Sequence, residues 1–189
     1  MAKTKTQQKS KPKRHCEEVL CAGFGGQGIM FMGKILADAG LMAGRHVTWM
    51  PSYGAEVRGG TAYSMAKISN YEIASPIVIN PDVLIVMNKP SLLKYESKIK
   101  PGGTLILNRS LIDVDPQRKD LKCVKIPLTE IAAKLGDTRC ANIIAVGAFV
   151  KRSKVLTLRN ILAALKEILK GKEGLFMLNK QALEKGYRL

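Results

Sequence analysis

VLCAGFGGQGIMFMGKILADAGLMAG, residues 19–44, decides the fold. From Glu18 an apolar stretch runs into glycines, which suits a buried strand delivered into a tight turn. Gln27 to Ala43 is apolar nearly all round, except for Lys34 and Asp38, four apart on one face. That predicts a helix largely covered by protein and stopped by Gly44. Between strand and helix, Gly23, Gly25 and Gly28 satisfy G-x-G-x-x-G, with Gly26 and Gln27 inside the motif. Small residues let the backbone approach a ligand closely, and N–H groups at a helix start face an anion, so a phosphate is the natural guest. The alternative is that the glycines only permit a tight strand-to-helix turn. A dinucleotide fold also wants an acid about twenty residues on, to hold the ribose hydroxyls. Here that region reads HVTWMP at 46–51, and the first acid after Asp38 is Glu56. NAD is disfavoured, and Arg45 keeps an NADP-dependent reductase only as a minor alternative.

Outward from this unit, HVTWM at 46–50 and TAYSMAKI at 61–68 predict strands, joined by the glycine-bearing loop SYGAEVRGG. DVLIVM at 82–87, TLIL at 104–107 and LKCVKI at 121–126 are further short strands, with a helix over 90–98 between the first two. The back half changes character: helices are predicted over 128–135, 142–151, 158–169 and 175–185. Strands alternate with helices early and helices dominate late. The order predicts an α/β fold, a three-layer α/β/α sandwich with a mostly parallel sheet, a Rossmann-like first strand-turn-helix and a helical C-terminal part.

With 189 residues, 46% hydrophobic and 24% charged, the chain can bury a core and is expected to form one domain over 15–189. Lys and Arg outnumber Asp and Glu by 31 to 15, a net charge of +16. Residues 1–14 hold six of those cations and no acid; removing six from +16 leaves +10 on the rest. The first fourteen residues read as a disordered basic tail, and the basic body suggests anionic partners without choosing among them. No run approaches the ~18 apolar residues of a membrane span, and no signal-peptide core follows the basic start. The chain therefore reads as cytoplasmic with reduced thiols and no membrane partner.

Ser52, Tyr53, Gly54, Glu56, Arg58, Gly59 and Gly60 form the second constellation. A loop with a hydroxyl, a phenol, a carboxylate and a guanidinium beside the first turn can make a ligand or partner surface, and the fork of Arg58 suits a phosphate or carboxylate. Equally, Glu56 and Arg58 can pair with each other. Nothing supplies a catalytic machine. His15 and His46 lack a triad pattern, and Cys16, Cys21, Cys123 and Cys140 form no CxxC pair. No P-loop, H-E-x-x-H or magnesium-binding carboxylate cluster is present, so no catalytic or metal-binding residue is assigned. Cys21 reads as a buried small hydrophobe.

GFGGQGIM at 23–30, SYGAEVRGGTA at 52–62, SPIVINPDVLIVMN at 75–88, KPGGTLILN at 100–108, IPLTEIAAKLG at 126–136 and ANIIAVGAFV at 141–150 resemble, in order, the γ subunit of the 2-oxoacid:ferredoxin oxidoreductases. The resemblance runs from about residue 18 to the C-terminus and is nearest the 2-oxoglutarate and 2-oxoisovalerate types. It implies a non-catalytic subunit of a complex that oxidatively decarboxylates a 2-oxoacid, joins the acyl group to coenzyme A and passes electrons to ferredoxin. It implies that thiamine diphosphate, magnesium and iron–sulfur clusters lie on α, β and δ or ferredoxin-like partners, and this chain has neither the GDG…N pattern nor a cluster's cysteines. It implies that the γ domain packs on the α/β core and helps to receive coenzyme A. Carried over by block, Gly25, Gly26, Gln27 and Gly28 form the anion-accepting turn. Ser52, Tyr53, Gly54, Glu56, Arg58, Gly59 and Gly60 form the loop beside it, and the alternative is that both are subunit contacts. Asn142 reads as a helix cap or a structural hydrogen bond rather than a ligand. For an isolated chain two states stay open, a monomer and self-association through surfaces meant for partners. A nucleotide- or RNA-binding module without enzyme role is the alternative from another class, ranked lower because the chain lacks an aromatic-rich stacking strand.

Overall fold

The computed structural model describes residues 14–53 and 61–189. Six strands form one sheet in the order β2-β3-β1-β4-β5-β6. β1 (Cys16–Phe24), β4 (Val83–Val86), β5 (Thr104–Asn108) and β6 (Lys122–Ile126) are mutually parallel, while β3 (Thr61–Ser69) runs antiparallel between β1 and β2 (His46–Tyr53). The sheet is therefore mostly parallel, as predicted. β1 and β4 are central and buried on both faces, which is why each reads as a continuous apolar run.

Helices cover the two faces unequally. Val19, Cys21, Ile85 and Ile106 share one core with α1 (Ile29–Met42), α3 (Leu128–Lys134), α4 (Ala141–Val150), α5 (Leu158–Ile168) and α6 (Glu173–Arg188). Leu20, Ala22, Leu84 and Leu105 share the other with Leu92 and Tyr95 of α2 (Lys89–Tyr95) and with Ile99 and Ile112. All ten residues of α4 are buried, so its sequence has no polar face. α1 keeps one: Lys34 and Asp38 pair at 2.7 Å on its exposed side. α5 is stopped at its start by a capping box, in which Thr157 and Asn160 satisfy each other's main-chain N–H groups.

Glu17 belongs to β1 yet is buried. Its carboxylate accepts a hydrogen bond from Ser153 Oγ, which in turn accepts from Val155 N–H and Leu156 N–H, tying the α4–α5 connection to the sheet. Burial pushes this carboxyl up from its usual range. All four cysteines are free thiols, and burial pushes the Cys21 thiol up to about 12, so it packs as a small hydrophobe. Among the described residues no helix is long and apolar enough to cross a membrane. The basic tail, up to residue 13, lies outside the described residues.

Candidate functional site

The connection after β1 leads through α1 toward the β2 edge, and the connection after β4 leads through α2 toward β5. The chain thus reverses direction between β1 and β4. In such sheets the crevice at the carboxyl ends of the strands at that point takes ligands, and the glycine turn lies there. Gly28 is the N-cap of α1 with a positive φ of 72°, and no side chain caps the helix. A Cβ on Gly28 would lie 2.0 Å from Asn142 Nδ2, so the turn, α1 and α4 meet at a point where only glycine fits. Asn142 Nδ2 donates to Gly28 O at 3.4 Å, the structural bond expected of it.

Gln27 behaves differently from its neighbours. Its Oε1 accepts from Phe24 N–H at 2.7 Å and its Nε2 donates to Met87 O at 3.3 Å, stapling the ends of β1 and β4 together. The side chain holds the turn's shape, and one Nε2 hydrogen is left over beside the cavity. Gln27→Ala is expected to cost about 1–3 kcal/mol by orphaning these groups, read as a lower urea midpoint at unchanged slope; a wild-type midpoint would contradict the staple. Gly25 and Gly26 face outward, and a Cβ on either meets nothing within 4 Å.

A cavity of about 190 Å³ opens beside the turn, lined by Gly26, Gln27, Met87, Thr129, Thr138 and Arg139 among others. Arg139 also lines a neighbouring cavity of about 240 Å³ whose walls include Phe31, Leu169, Leu175 and Leu178. The two cavities share Arg139: the first mixes the glycine turn, Thr129 and Thr138 with apolar Met87, Leu111 and Ala141, and the second is more apolar, against α1 and α6. Arg139 is 83% exposed and is oriented by Asp137, with Nη2–Oδ2 at 2.7 Å. That contact holds the Asp137 carboxyl below its usual range. A guanidinium shared by two partly apolar cavities suits an anionic group joined to an apolar one. Arg139, Thr138 and Thr129 escaped the sequence reading, and the only local sign was a cation just before the apolar ANIIAVGAFV helix.

The second predicted constellation reaches the same end of the sheet. Tyr53 pairs with Ala62 and Thr61 pairs with Phe24, so β3 begins beside the glycine turn and β2 ends one strand further out at the same end of the sheet. Ser52 is half-buried and Tyr53 is exposed. Gly54, Glu56, Arg58, Gly59 and Gly60 lie outside the described residues. Because β3 separates β2 from β1, the end of the second strand is not adjacent to the turn, where a dinucleotide fold places its ribose-binding acid. Among the described residues no group of three or more His, Cys, Asp or Glu is placed to hold a metal ion.

Residues 18–189 match the pyruvate ferredoxin/flavodoxin oxidoreductase family, and the chain belongs to it. Within the family its likeness is to the γ subunit. The γ subunit of a keto/oxoacid ferredoxin oxidoreductase from Geobacter sulfurreducens superposes with a TM-score of 0.79 at 27% identity, covering 91% of this chain and 96% of that one. The 2-oxoglutarate:ferredoxin oxidoreductase of Magnetococcus marinus, solved with 2-oxoglutarate, coenzyme A and succinyl-CoA bound, gives a TM-score of 0.82 at 25% identity over 92% of this chain and 30% of that chain. The ketoisovalerate oxidoreductase subunit VorA of Methanothermobacter marburgensis is 35% identical over 169 residues, 89% of this chain. This chain spans about a third, 35%, of VorA's length.

Proposed function

We propose that this chain is the non-catalytic γ subunit of a multi-subunit 2-oxoacid:ferredoxin oxidoreductase. The complex oxidatively decarboxylates 2-oxoglutarate or a related 2-oxoacid to the acyl-CoA and reduces ferredoxin. The observation that carries the reading is the convergence at one sheet end of the glycine turn, both ends of the β2–β3 connection and Arg139, which walls two adjoining cavities. These surroundings match coenzyme A in chemistry: phosphates for the turn and Arg139, an organic arm for the apolar walls. Thiamine diphosphate with magnesium supplies the decarboxylating carbanion and iron–sulfur clusters supply one-electron transfer, both on α, β and δ partners. The work of this chain is to bind and orient coenzyme A at the edge of the partners' site.

Affinity capture of the full chain from its native cells, with mass identification of companions, tests the assignment. Companions bearing thiamine and cluster motifs are expected; capture of the chain alone would contradict it. In the assembled complex, Arg58→Ala is expected to raise the apparent KM for coenzyme A by about tenfold, the worth of one charge-assisted contact, with kcat little changed, the pattern of lost binding. An unchanged coenzyme A dependence removes Arg58 from the site.

A further inference from the structure

At the opposite end of the sheet, about 26 Å from the glycine turn along β1 at ~3.3 Å per residue, a cleft of about 550 Å³ lies where β1 begins. Part of its wall is Arg14, His15 and Cys16, residues before the start of the family match at 18, so the cleft is not supplied by the family pattern alone. Its floor is an ion ladder. Glu18 is gripped by Lys67 at 2.7 Å and by Lys100 at 2.8 Å, and Lys100 reaches Asp82 at 2.9 Å.

The ladder leaves donors over. An ammonium has three N–H groups. Lys67, whose side chain is only 12% exposed, spends one on Glu18 and has no other anionic partner among the described residues. Water reaches it poorly, so its remaining donors call for an acceptor. Arg14 lies over the Tyr71 ring at 5.4 Å and has no carboxylate partner among the described residues. His15 is pinned by its main chain to Asn70 at 2.9 and 3.1 Å, and its buried Nε2 finds no hydrogen-bond partner among the described residues. Of the two acids that line the cleft, Glu18 is committed to the lysines and Glu72 is exposed.

We propose that this cleft is a second ligand site, distinct from the glycine turn, for a small anion bearing a carboxylate or a phosphate, with Arg14 and Lys67 as the binding cations. The ordered ladder makes the site ready-formed: Glu18 fixes Lys67 without exhausting it, and the Arg14–Tyr71 stack holds the second cation at the mouth.

Equilibrium dialysis of labelled inorganic phosphate, and separately of labelled malonate, against the full chain at low ionic strength tests this. Saturable binding of at least one anion is expected, and the anion that binds tells phosphate from carboxylate. Lys67→Met and Arg14→Ala are each expected to weaken it about tenfold, while Gly25→Leu, at the far end of the sheet, leaves it unchanged. Arg14→Ala alters an exposed side chain outside the ladder and keeps the test valid should Lys67→Met disturb Glu18. Absence of saturable binding of both anions, affinities unmoved by Arg14→Ala, or binding lost only in Gly25→Leu would overturn the proposal. Because Gly25→Leu alone reports on the turn, failure here is separable from failure of the coenzyme A reading.

Discussion

Gly186→Ala is expected to lower the unfolding free energy by about 2–3 kcal/mol, although alanine is the better helix former by about 1 kcal/mol. α4 and α6 cross at two glycines. A Cβ on Gly186 would stand 1.9 Å from Ile144 O, and one on Gly147 would stand 2.2 Å from Leu183 O and 2.8 Å from Tyr187 N. All three obstacles are backbone atoms, so nothing can swing aside and the helices must separate. Separation would open the layer that covers α4, every residue of which is buried. Gly174 lies in the same helix with nothing within 4 Å of its would-be Cβ. Gly174→Ala should therefore be neutral or stabilising, giving the two substitutions opposite signs. Urea denaturation of the full chain reads both, the slope reporting whether the unfolding reaction is unchanged. A Gly186→Ala midpoint at or above wild type would mean that the α4–α6 crossing is not the close contact described.

Gly25→Leu separates binding from folding in the other direction. The position has an ordinary φ and open space around its Cβ, so leucine strains nothing and the unfolding midpoint should stay within about 0.5 kcal/mol of wild type. In the assembled complex the same side chain stands over the turn that the phosphates of coenzyme A would approach. The apparent KM for coenzyme A is expected to rise at least about tenfold, a loss of ~1.4 kcal/mol of binding, with the KM for the 2-oxoacid unmoved. Steady-state kinetics with each substrate varied in turn distinguishes these. An unchanged KM for coenzyme A would assign the glycine turn to a subunit contact or to folding alone.

Local pattern explains which parts of this structure were legible. The β1-turn-α1 unit could be read because an apolar run, closely spaced glycines and an apolar helix lie within one window, and α4 because its ten residues are uniformly apolar. The position of β3 could not. TAYSMAKI reads as a strand whichever way it points, and only the pairing of Thr61 with Phe24 shows that it runs back beside β1. Gln27 stands among the turn's glycines in sequence, and only the fold shows that its amide accepts from Phe24 N–H and donates to the carbonyl of Met87, 60 residues away. Arg139 joins the turn from more than a hundred positions along the chain, and Glu17 finds Ser153 from 136 away. Partners at such separations leave no periodic trace. The cavity beside the turn was half legible: the sequence marks its glycine side and the fold brings in Thr129, Thr138 and Arg139.

The central claim, that this chain completes a 2-oxoacid oxidoreductase by receiving coenzyme A, is tested most directly by adding it back. The companion subunits are purified without this chain, and coenzyme A-dependent reduction of a viologen dye is assayed with 2-oxoglutarate and with 2-oxoisovalerate, before and after addition of the full chain. The account predicts that dye reduction at low coenzyme A appears only once the chain is present, and that Gly25→Leu chain restores it only at raised coenzyme A. Equal activity and equal coenzyme A dependence with and without the chain would contradict it.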